Sequence, residues 1–251
     1  MSAPPKTVLI TGASRGIGAA TARLAAKRGW RVAVNFVSNE TAAQAVVSDI
    51  EAAGGNALAV RGDVGSEADI LAMFAAVDGR FGKLGGLVNN AGVVDLKSRV
   101  VDMSAERLER QMRINVTGSI LCAREAVKRM STSHGGAGGA IVNISSVAAV
   151  LGSAGEYVDY AAAKGAIDTF TVGLAREVAE EGIRVNAVRP GTIDTEIHAS
   201  GGQPDRAQRV AAVIPMKRPG KAEEIAQAIV WLLSDAASYT TGAILDVSGG
   251  R

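Results

Sequence analysis

The run Thr7-Val8-Leu9-Ile10-Thr11-Gly12-Ala13-Ser14-Arg15-Gly16-Ile17-Gly18 lies close to the start of the chain. Its apolar first part predicts a buried strand, and its glycines predict a tight turn that opens a helix. A helix that follows such a turn directs backbone N–H groups and the positive end of its dipole at one spot. That spot suits the pyrophosphate of a dinucleotide, so the run predicts a nucleotide-binding α/β fold.

Short β-branched runs alternate with longer helical segments along the rest of the chain. The predicted strands are 7–11, 31–36, 57–61, 87–89, 140–144, 184–188 and 243–247, and the predicted helices are 17–28, 41–53, 67–81, 105–130, 159–180 and 222–233. Such alternation predicts a doubly wound parallel sheet with helices on both faces. No proline lies between Pro5 and Pro190, and no polar linker divides the chain. We therefore predict one domain over residues 1–251.

Two stretches interrupt this alternation. Residues 131–139 (STSHGGAGG) form a glycine-rich connection before a predicted strand. Residues 196–214 are too long for an ordinary connector, and segments of that length are often lids or binding loops. We predict a substrate lid at 196–214, with a surface insertion that has no role as the alternative.

Composition excludes several classes of protein. The net charge is +2, and no block of lysine and arginine indicates nucleic-acid binding. The single cysteine, Cys122, is typical of a reducing compartment. Residues 1–6 lack the apolar core of a secretion signal, and no segment reaches the roughly 18 apolar residues of a membrane span. We expect a cytoplasmic protein.

A second motif, Tyr160-Ala161-Ala162-Ala163-Lys164, places a phenol and an ammonium four residues apart on a predicted helix. That spacing brings both groups to one helix face. The adjacent ammonium and a positively charged oxidised cofactor favour the phenolate, so together we expect them to lower the Tyr160 pKa from its usual value of about 10. Tyr160 then exchanges a proton with a substrate oxygen. A dinucleotide beside an acid/base group predicts an oxidoreductase.

The order of motifs resembles the short-chain dehydrogenase/reductase family over essentially the whole chain. They are Thr11-Gly12-x-x-x-Gly16-x-Gly18, Asn89-Asn90-Ala91-Gly92, Tyr160-x-x-x-Lys164 and Pro190-Gly191. The resemblance is close to both 3-oxoacyl-carrier-protein reductases and sugar dehydrogenases. It implies a seven-stranded Rossmann fold and hydride transfer between a nicotinamide and a carbonyl or secondary alcohol. It also implies a homotetramer joined through the fourth and fifth long helices and the last strand. Candidate seam residues are Ile120, Leu121, Val127, Ile167, Phe170 and Leu174.

The resemblance assigns catalysis to Asn115, Ser146, Tyr160 and Lys164. Ser146 would hydrogen-bond the substrate oxygen, Tyr160 would move the proton, and Lys164 would also contact the nicotinamide ribose. Asn115 would hold a water relay to the lysine, although a solvent-facing asparagine is the alternative. Ser145 and Tyr157 are neighbouring candidates, but the family pattern selects Ser146, and Tyr157 has no lysine four residues later.

The resemblance also assigns a cofactor site. Its residues are Gly12, Ser14, Arg15, Gly16, Ile17, Gly18, Ser38, Asn39, Asp63, Val64, Asn90, Ala91, Gly92, Tyr160, Lys164, Pro190, Gly191, Ile193 and Thr195. Asp63 and Val64 match the position that holds the adenine, with the alternative that Asp63 only begins the next turn. Cys122, His134 and His198 show no metal-binding spacing, so we expect no metal site.

Residues 34–39 predict NADP(H) rather than NAD(H), because no acid ends the second strand to bond a ribose 2′-hydroxyl and repel a 2′-phosphate. Arg15 offers a guanidinium to that phosphate, and Ser38 and Asn39 add neutral donors. We expect Glu40 to lie in the first turn of the next helix, where its charge favours the helix dipole.

The polar residues near the predicted lid favour a small polar carbonyl or secondary alcohol as substrate. They are Glu156, Tyr157, Glu196, His198, Gln203 and Asp205. An acidic carrier protein would need clustered basic residues, and only Lys128, Arg129, Arg206 and Arg209 are candidates. The first alternative is a 3-oxoacyl-thioester reductase. A cofactor-binding sensor is the non-enzyme alternative, which the complete set of four catalytic positions disfavours.

Overall fold

The computed structural model describes residues 6–251. Residues 1–5, on which the expectation of no secretion signal mainly rests, lie outside the described part. The strands are β1 (Thr7–Ile10), β2 (Arg31–Phe36), β3 (Asn56–Arg61), β4 (Gly86–Asn89), β5 (Gly139–Ile144), β6 (Ile183–Pro190) and β7 (Ile244–Val247). The helices are α1 (Gly16–Lys27), α2 (Glu40–Ala52), α3 (Glu67–Phe81), α4 (Ala105–Met112), α5 (Gly118–Met130), α6 (Ala148–Leu151), α7 (Val158–Glu177), α8 (Ile197–Ser200), α9 (Arg206–Arg209) and α10 (Ala222–Leu233).

The seven strands form one sheet in the order β3-β2-β1-β4-β5-β6-β7, and every neighbouring pair is parallel. This confirms the predicted doubly wound parallel sheet with a single domain. The strand order reverses between β1 and β4, where the chain leaves one edge and continues toward the other. A crevice opens beyond the carboxyl ends of the strands at such a reversal, which is where ligands bind in open α/β sheets.

Apolar side chains cover both faces of the sheet because successive strand residues point to opposite sides. Val8 and Ile10 of β1 pack into one cluster with α1, α2 and α10. Leu9 of the same strand packs into a second cluster with α3 and α5, which includes Phe74. Burial on both faces explains why the strands read as continuous apolar runs rather than as alternating ones.

The long helix predicted over 105–130 is interrupted. Residues Arg113–Thr117 form a π-helical turn between α4 and α5, so the helical stretch gains one residue there. Such insertions occur mostly at functional sites. Asn115 lies in the middle of this turn. Among residues 6–251, no helix is both long enough and apolar enough to cross a membrane.

Candidate functional site

A cavity of about 500 Å³ opens at the carboxyl ends of the central strands. Ser146, Tyr160 and Lys164 line one wall, and Pro190 and Gly191 line another. Residues of the segment 196–214 cover it, including Ile197, His198 and Arg206. The cavity thus lies at the reversal of strand order, and residues far apart in the chain meet there.

The glycine turn between β1 and α1 brings main chain against main chain. Gly12 and Gly16 have positive φ angles of 61° and 53°, which side chains of L-residues rarely adopt. A Cβ atom on Gly18 would lie 2.6 Å from both the Asn90 Nδ2 and the Gly12 carbonyl oxygen. The Asn90 Nδ2 donates to the carbonyl oxygens of Thr11 (2.8 Å) and Gly12 (2.9 Å). Only glycine fits at position 18 without displacing α1.

The start of α1 has the chemistry of an anion site. Within the described chain, Arg15 at the N-cap makes no side-chain capping bond, and the first turn holds no acidic residue. The N–H groups of that turn and the helix dipole are therefore available to a phosphate. Ile17, in the same turn, lines the cavity. The cradle fits a pyrophosphate.

Asn35, which the sequence did not single out, holds this turn in place. It is fully buried near the end of β2. Its Oδ1 accepts from the Gly12 N–H (3.0 Å), and its Nδ2 donates to the Gly62 carbonyl oxygen (2.9 Å). A polar residue amid the apolar end of a strand was the signal for this role, because a buried amide needs several partners.

The structure brings Ser146, Tyr160 and Lys164 together. The Lys164 Nζ donates to the Ile144 carbonyl oxygen at 2.7 Å and lies 5.5 Å from the centroid of the Tyr160 ring. Ser146 borders the Tyr160 hydroxyl and opposes the rise of its pKa. Ser145 is buried instead, and its hydroxyl donates to the Lys164 carbonyl oxygen. The choice of Ser146 over Ser145 therefore agrees with the geometry.

Burial controls the ionisation of both groups. It raises the pKa of the Tyr160 phenol to about 12, with Ser146 acting in the opposite direction. Burial also lowers the pKa of the Lys164 ammonium to about 8, against the attraction of Asp168. The fall of the Tyr160 pKa was expected from the ammonium together with a positively charged oxidised cofactor; in the protein alone, loss of hydration is the main influence on this pKa. Tyr160 is a proton donor in this state.

Asn115 is buried rather than solvent-facing. Its Oδ1 accepts from the Val93 N–H and its Nδ2 donates to the Val93 carbonyl oxygen, both at 3.0 Å. A Cβ atom on Gly92 would lie 2.8 Å from the Asn115 Oδ1 and 3.6 Å from the Lys164 Nζ. Asn115 and Lys164 thus flank Gly92, and the solvent-facing alternative is excluded.

The residues expected to contact the adenosine half of the dinucleotide cofactor lie on the surface or in turns. Arg15, Ser38 and Asn39 are exposed. The Asn39 Oδ1 accepts from the Ala42 N–H and caps α2. Glu40 is the first residue of α2, which confirms its expected place in the first turn.

The third strand leads into a turn as well. The Asp63 Oδ1 accepts from the Gly65 N–H at 2.7 Å, so this side chain does begin the next turn. Val64 is buried, and a Cβ on Gly118 of α5 would lie 2.5 Å from its carbonyl oxygen. The turn is therefore packed tightly on the start of α5.

The chain after β6 returns to the glycine turn. A Cβ atom on Gly191 would lie 2.6 Å from the Ser248 carbonyl oxygen, so the backbone passes close to the end of β7. Ile193 pairs with Gly220 in an isolated bridge. A Cβ on Gly16 would lie 3.5 Å from the Thr195 side chain, which places the start of the segment 196–214 over the N-terminus of α1.

Most polar side chains expected to face a substrate bond to other groups of the protein. Arg206 forms an ion pair with Glu156 at 2.6 Å and stacks over the Tyr157 ring. Gln203 hydrogen-bonds the Tyr157 hydroxyl. The His198 Nε2 lies 2.9 Å from the Ile193 carbonyl oxygen, and burial lowers the pKa of this histidine. These contacts fasten the segment 196–214 to the start of α7.

Tyr157 is buried and lines the cavity, in agreement with its interpretation as a pocket wall.

Cys122 is buried and free, and burial raises the pKa of its thiol to about 12. Within residues 6–251, no three His, Cys, Asp or Glu side chains converge as metal ligands would.

Comparison with known proteins places these features in a family. Residues 12–251 match the family described as enoyl-(acyl carrier protein) reductase. The chain is 58% identical to an uncharacterized oxidoreductase, YgfF, of Escherichia coli (strain K12), over 97% of this chain and 98% of that protein. It is 39% identical to glucose 1-dehydrogenase 2 of Bacillus subtilis (strain 168), over 98% of this chain and 94% of that protein. A solved short-chain dehydrogenase/reductase from Serratia marcescens BCRC 10948 superposes with a TM-score of 0.90 at 33% identity, over 98% of this chain and 97% of that one.

Proposed function

The chain belongs to the short-chain dehydrogenase/reductase family and is an oxidoreductase that uses a nicotinamide cofactor; on that premise we propose that it transfers hydride between NADP(H) and a small polar carbonyl or secondary alcohol. The observation that carries the proposal is the convergence of Ser146, Tyr160 and Lys164 in the cavity beside the glycine turn. A sensor on the same fold would have no need of this arrangement.

The side chains support a division of labour around one substrate oxygen. Ser146 donates a hydrogen bond to that oxygen and positions it. Tyr160 is protonated because burial raises its pKa to about 12, so in the direction of reduction it gives its proton to the oxygen. Lys164 contacts the ribose, and Asn115 keeps the water relay that returns a proton toward Tyr160. The bound nicotinamide supplies or accepts the hydride.

The glycine turn and its neighbours would hold the cofactor. In this proposal the N–H groups at the start of α1 bind the pyrophosphate, and Asp63 and Val64 hold the adenine. Pro190, Gly191, Ile193 and Thr195 orient the nicotinamide end, and Asn90, Ala91 and Gly92 line the path between the two halves. The positive φ angles of Gly12 and Gly16 support this assignment, because the tight turn that they form lets backbone N–H groups come close to a phosphate.

Replacement of Tyr160 by phenylalanine tests the proton transfer. We expect Tyr160→Phe to lower kcat at least about 100-fold with little effect on cofactor binding, because the phenol is lost and the glycine turn is intact. Lys164→Ala should weaken both activity and binding. Steady-state kinetics and a fluorescence titration with reduced cofactor measure the two effects. Tyr239→Phe is the matched control, since Tyr239 is fully exposed. A Tyr160→Phe protein with more than about a tenth of wild-type kcat would contradict the assignment.

The preference for NADP(H) rests on Arg15 and on the end of β2. Arg15 is exposed at the mouth of the anion site, and its Nη2 lies 3.5 Å from the Ser200 Oγ. Glu40 is in the first turn of α2, where its charge favours the helix dipole, and a Glu196 carboxylate oxygen lies 3.6 Å from the position of a Cβ atom on Gly16. Neither is an acid at the end of β2 that would bond the ribose 2′-hydroxyl, and the Arg15 guanidinium suits a 2′-phosphate.

We expect kcat/KM to be higher with NADPH than with NADH, and Arg15→Ala to lower kcat/KM for NADPH while leaving that for NADH nearly unchanged. The physical reason is that only NADPH carries the 2′-phosphate. Arg28→Ala is a suitable control, because Arg28 lies at the opposite end of α1. A wild-type preference for NADH would overturn the proposal.

The substrate is proposed to be small and free rather than attached to a carrier protein. The cavity of about 500 Å³ must also accept the nicotinamide. The four basic residues predicted as candidates for contact with an acidic carrier are paired within the protein: Arg206 with Glu156, Arg209 with Asp205, and Lys128 and Arg129 with Glu125. Pairing within the segment 196–214 also fits its proposed role as a lid, since these bonds can hold it closed over the substrate.

A panel of hydroxyketones, polyols and acetoacetyl thioesters, assayed with both cofactors, tests this proposal. We expect the highest kcat/KM on the small hydroxylated compounds, because the basic side chains of the protein that could anchor an acidic carrier are already paired. The discriminating pair is a free acetoacetyl thioester and the same group on carrier protein. Faster turnover of the carrier-bound form would establish the thioester reductase alternative.

We also propose that the protein is a homotetramer. A cytoplasmic location is proposed as well, because the free Cys122 suits a reducing compartment. Leu108, Met112 and Ile120 leave apolar surface exposed on α4 and α5, and Leu245 does so on the edge strand β7. Ile167, one of the candidate seam residues, is buried against its own sheet and cannot contribute. Light scattering at micromolar concentration should give the mass of four chains, and a monomer mass would refute the proposal.

A further inference from the structure

A buried ion pair joins the two helical stretches that carry the proposed catalytic groups. Arg107 lies on α4, and Asp159 lies in the first turn of α7. The Arg107 Nε donates to the Asp159 Oδ2 at 2.7 Å, and its Nη2 donates to the Oδ1 at 3.2 Å. The side chains are only 12% and 2% exposed. Two parallel bonds between planar groups fix orientation as well as distance.

The same guanidinium holds the loop that follows β4. Its Nη1 donates to the Leu96 carbonyl oxygen at 2.6 Å. A few residues earlier in that loop, Val93 is bonded through both backbone groups to Asn115. Arg107 and Asn115, from one helical stretch, therefore fasten the loop at two points.

The position of the pair relates it to the proposed chemistry. Asp159 directly precedes Tyr160, and Lys164 follows on the same helix. Arg107 stands two turns before Asn115 on the stretch formed by α4 and the π turn. A shift of α4 against α7 would move Asn115 relative to Tyr160 and Lys164.

Stability alone does not account for this arrangement. Removing two charges from water offsets most of their attraction, and apolar residues of similar size often stabilise a fold equally well. What an apolar contact lacks is a defined geometry. Glu125 provides a comparison, because it is a buried carboxylate paired with Arg129 within α5 and does not line the cavity.

We propose that Arg107 and Asp159 are positioning residues that set α4 against α7 and so place Tyr160 and Lys164 relative to Asn115. The inference rests on the proposed function, since it assumes that these three residues act on one substrate. Neither Arg107 nor Asp159 lines the cavity, so both act through their neighbours.

The double variant Arg107→Met/Asp159→Leu tests the proposal, because it removes both charges and leaves no unpaired one. We expect it to fold and to bind NADPH as the wild type does, yet to lose about 10- to 100-fold in kcat, the cost of misplacing catalytic groups by a fraction of an ångström to about 1 Å. Its pH–rate profile should also be displaced. Arg107→Lys keeps the positive charge but cannot form the two parallel bonds, so its kcat should lie between that of the wild type and that of the double variant. Glu125→Gln should leave kcat and the profile unchanged.

A second readout needs no substrate. Ionisation of Tyr160 is measured from the absorbance of tyrosinate during a pH titration. The titration of each protein is compared with that of the same protein carrying Tyr160→Phe, and the difference belongs to Tyr160. We expect the Tyr160 titration to shift in the double variant and not in Glu125→Gln. If the wild type turns over no substrate, the proposed function has failed while this titration still decides the positioning role. A folded double variant with wild-type kcat and an unshifted Tyr160 titration would overturn the inference. If the double variant does not fold, the same two measurements on Arg107→Lys decide it.

Discussion

The contact of main chain with main chain at the glycine turn is the constraint on which the rest of the site depends. A Cβ atom at Gly18 would lie 2.6 Å from the Gly12 carbonyl oxygen and from the Asn90 Nδ2. The absence of that atom lets the first turn of α1 pack against the turn that follows β1, and the start of α1 is what provides the phosphate site. Asn90 bonds the same turn from the loop after β4, so the ends of β1 and β4, which also pair along the sheet, are tied together at this turn.

Helix α7 is held at several points by polar rather than apolar contacts. Lys164 bonds the end of β5 through the Ile144 carbonyl oxygen, and Thr171 accepts a bond from Asn143 of the same strand. Asp168 pairs with Arg189 of β6 at 2.8 Å. Apolar packing permits small slides along a helix axis, whereas each of these bonds has one geometry. A helix that must present a phenol and an ammonium at fixed positions benefits from that difference.

Much of the fold was predictable because it depends on local patterns. The seven strands were found with errors of at most one or two residues at each end, and the first turn of α2 was placed correctly by the preference of Glu40 for a helix N-terminus. The π turn at Arg113–Thr117 was missed, since its residues have no composition that separates it from an α-helix. Asn35 was missed because its partners, Gly12 and Gly62, are brought to it only by the assembled sheet.

The sequence by itself determined the order of elements, the parallel sheet, the glycine turn and the pairing of Tyr160 with Lys164 on one helix face. These follow from backbone freedom and from periodicities of 2 and 3.6 residues, which act over a few neighbours. Only the tertiary structure decided how the charges are used. The pairing of Arg206 with Glu156, 50 residues apart, ties two residues of the cavity lining to each other, and burial rather than the nearby ammonium sets the pKa of Tyr160. Hydration and long-range pairing depend on which surfaces meet in space, and no short stretch of chain records that.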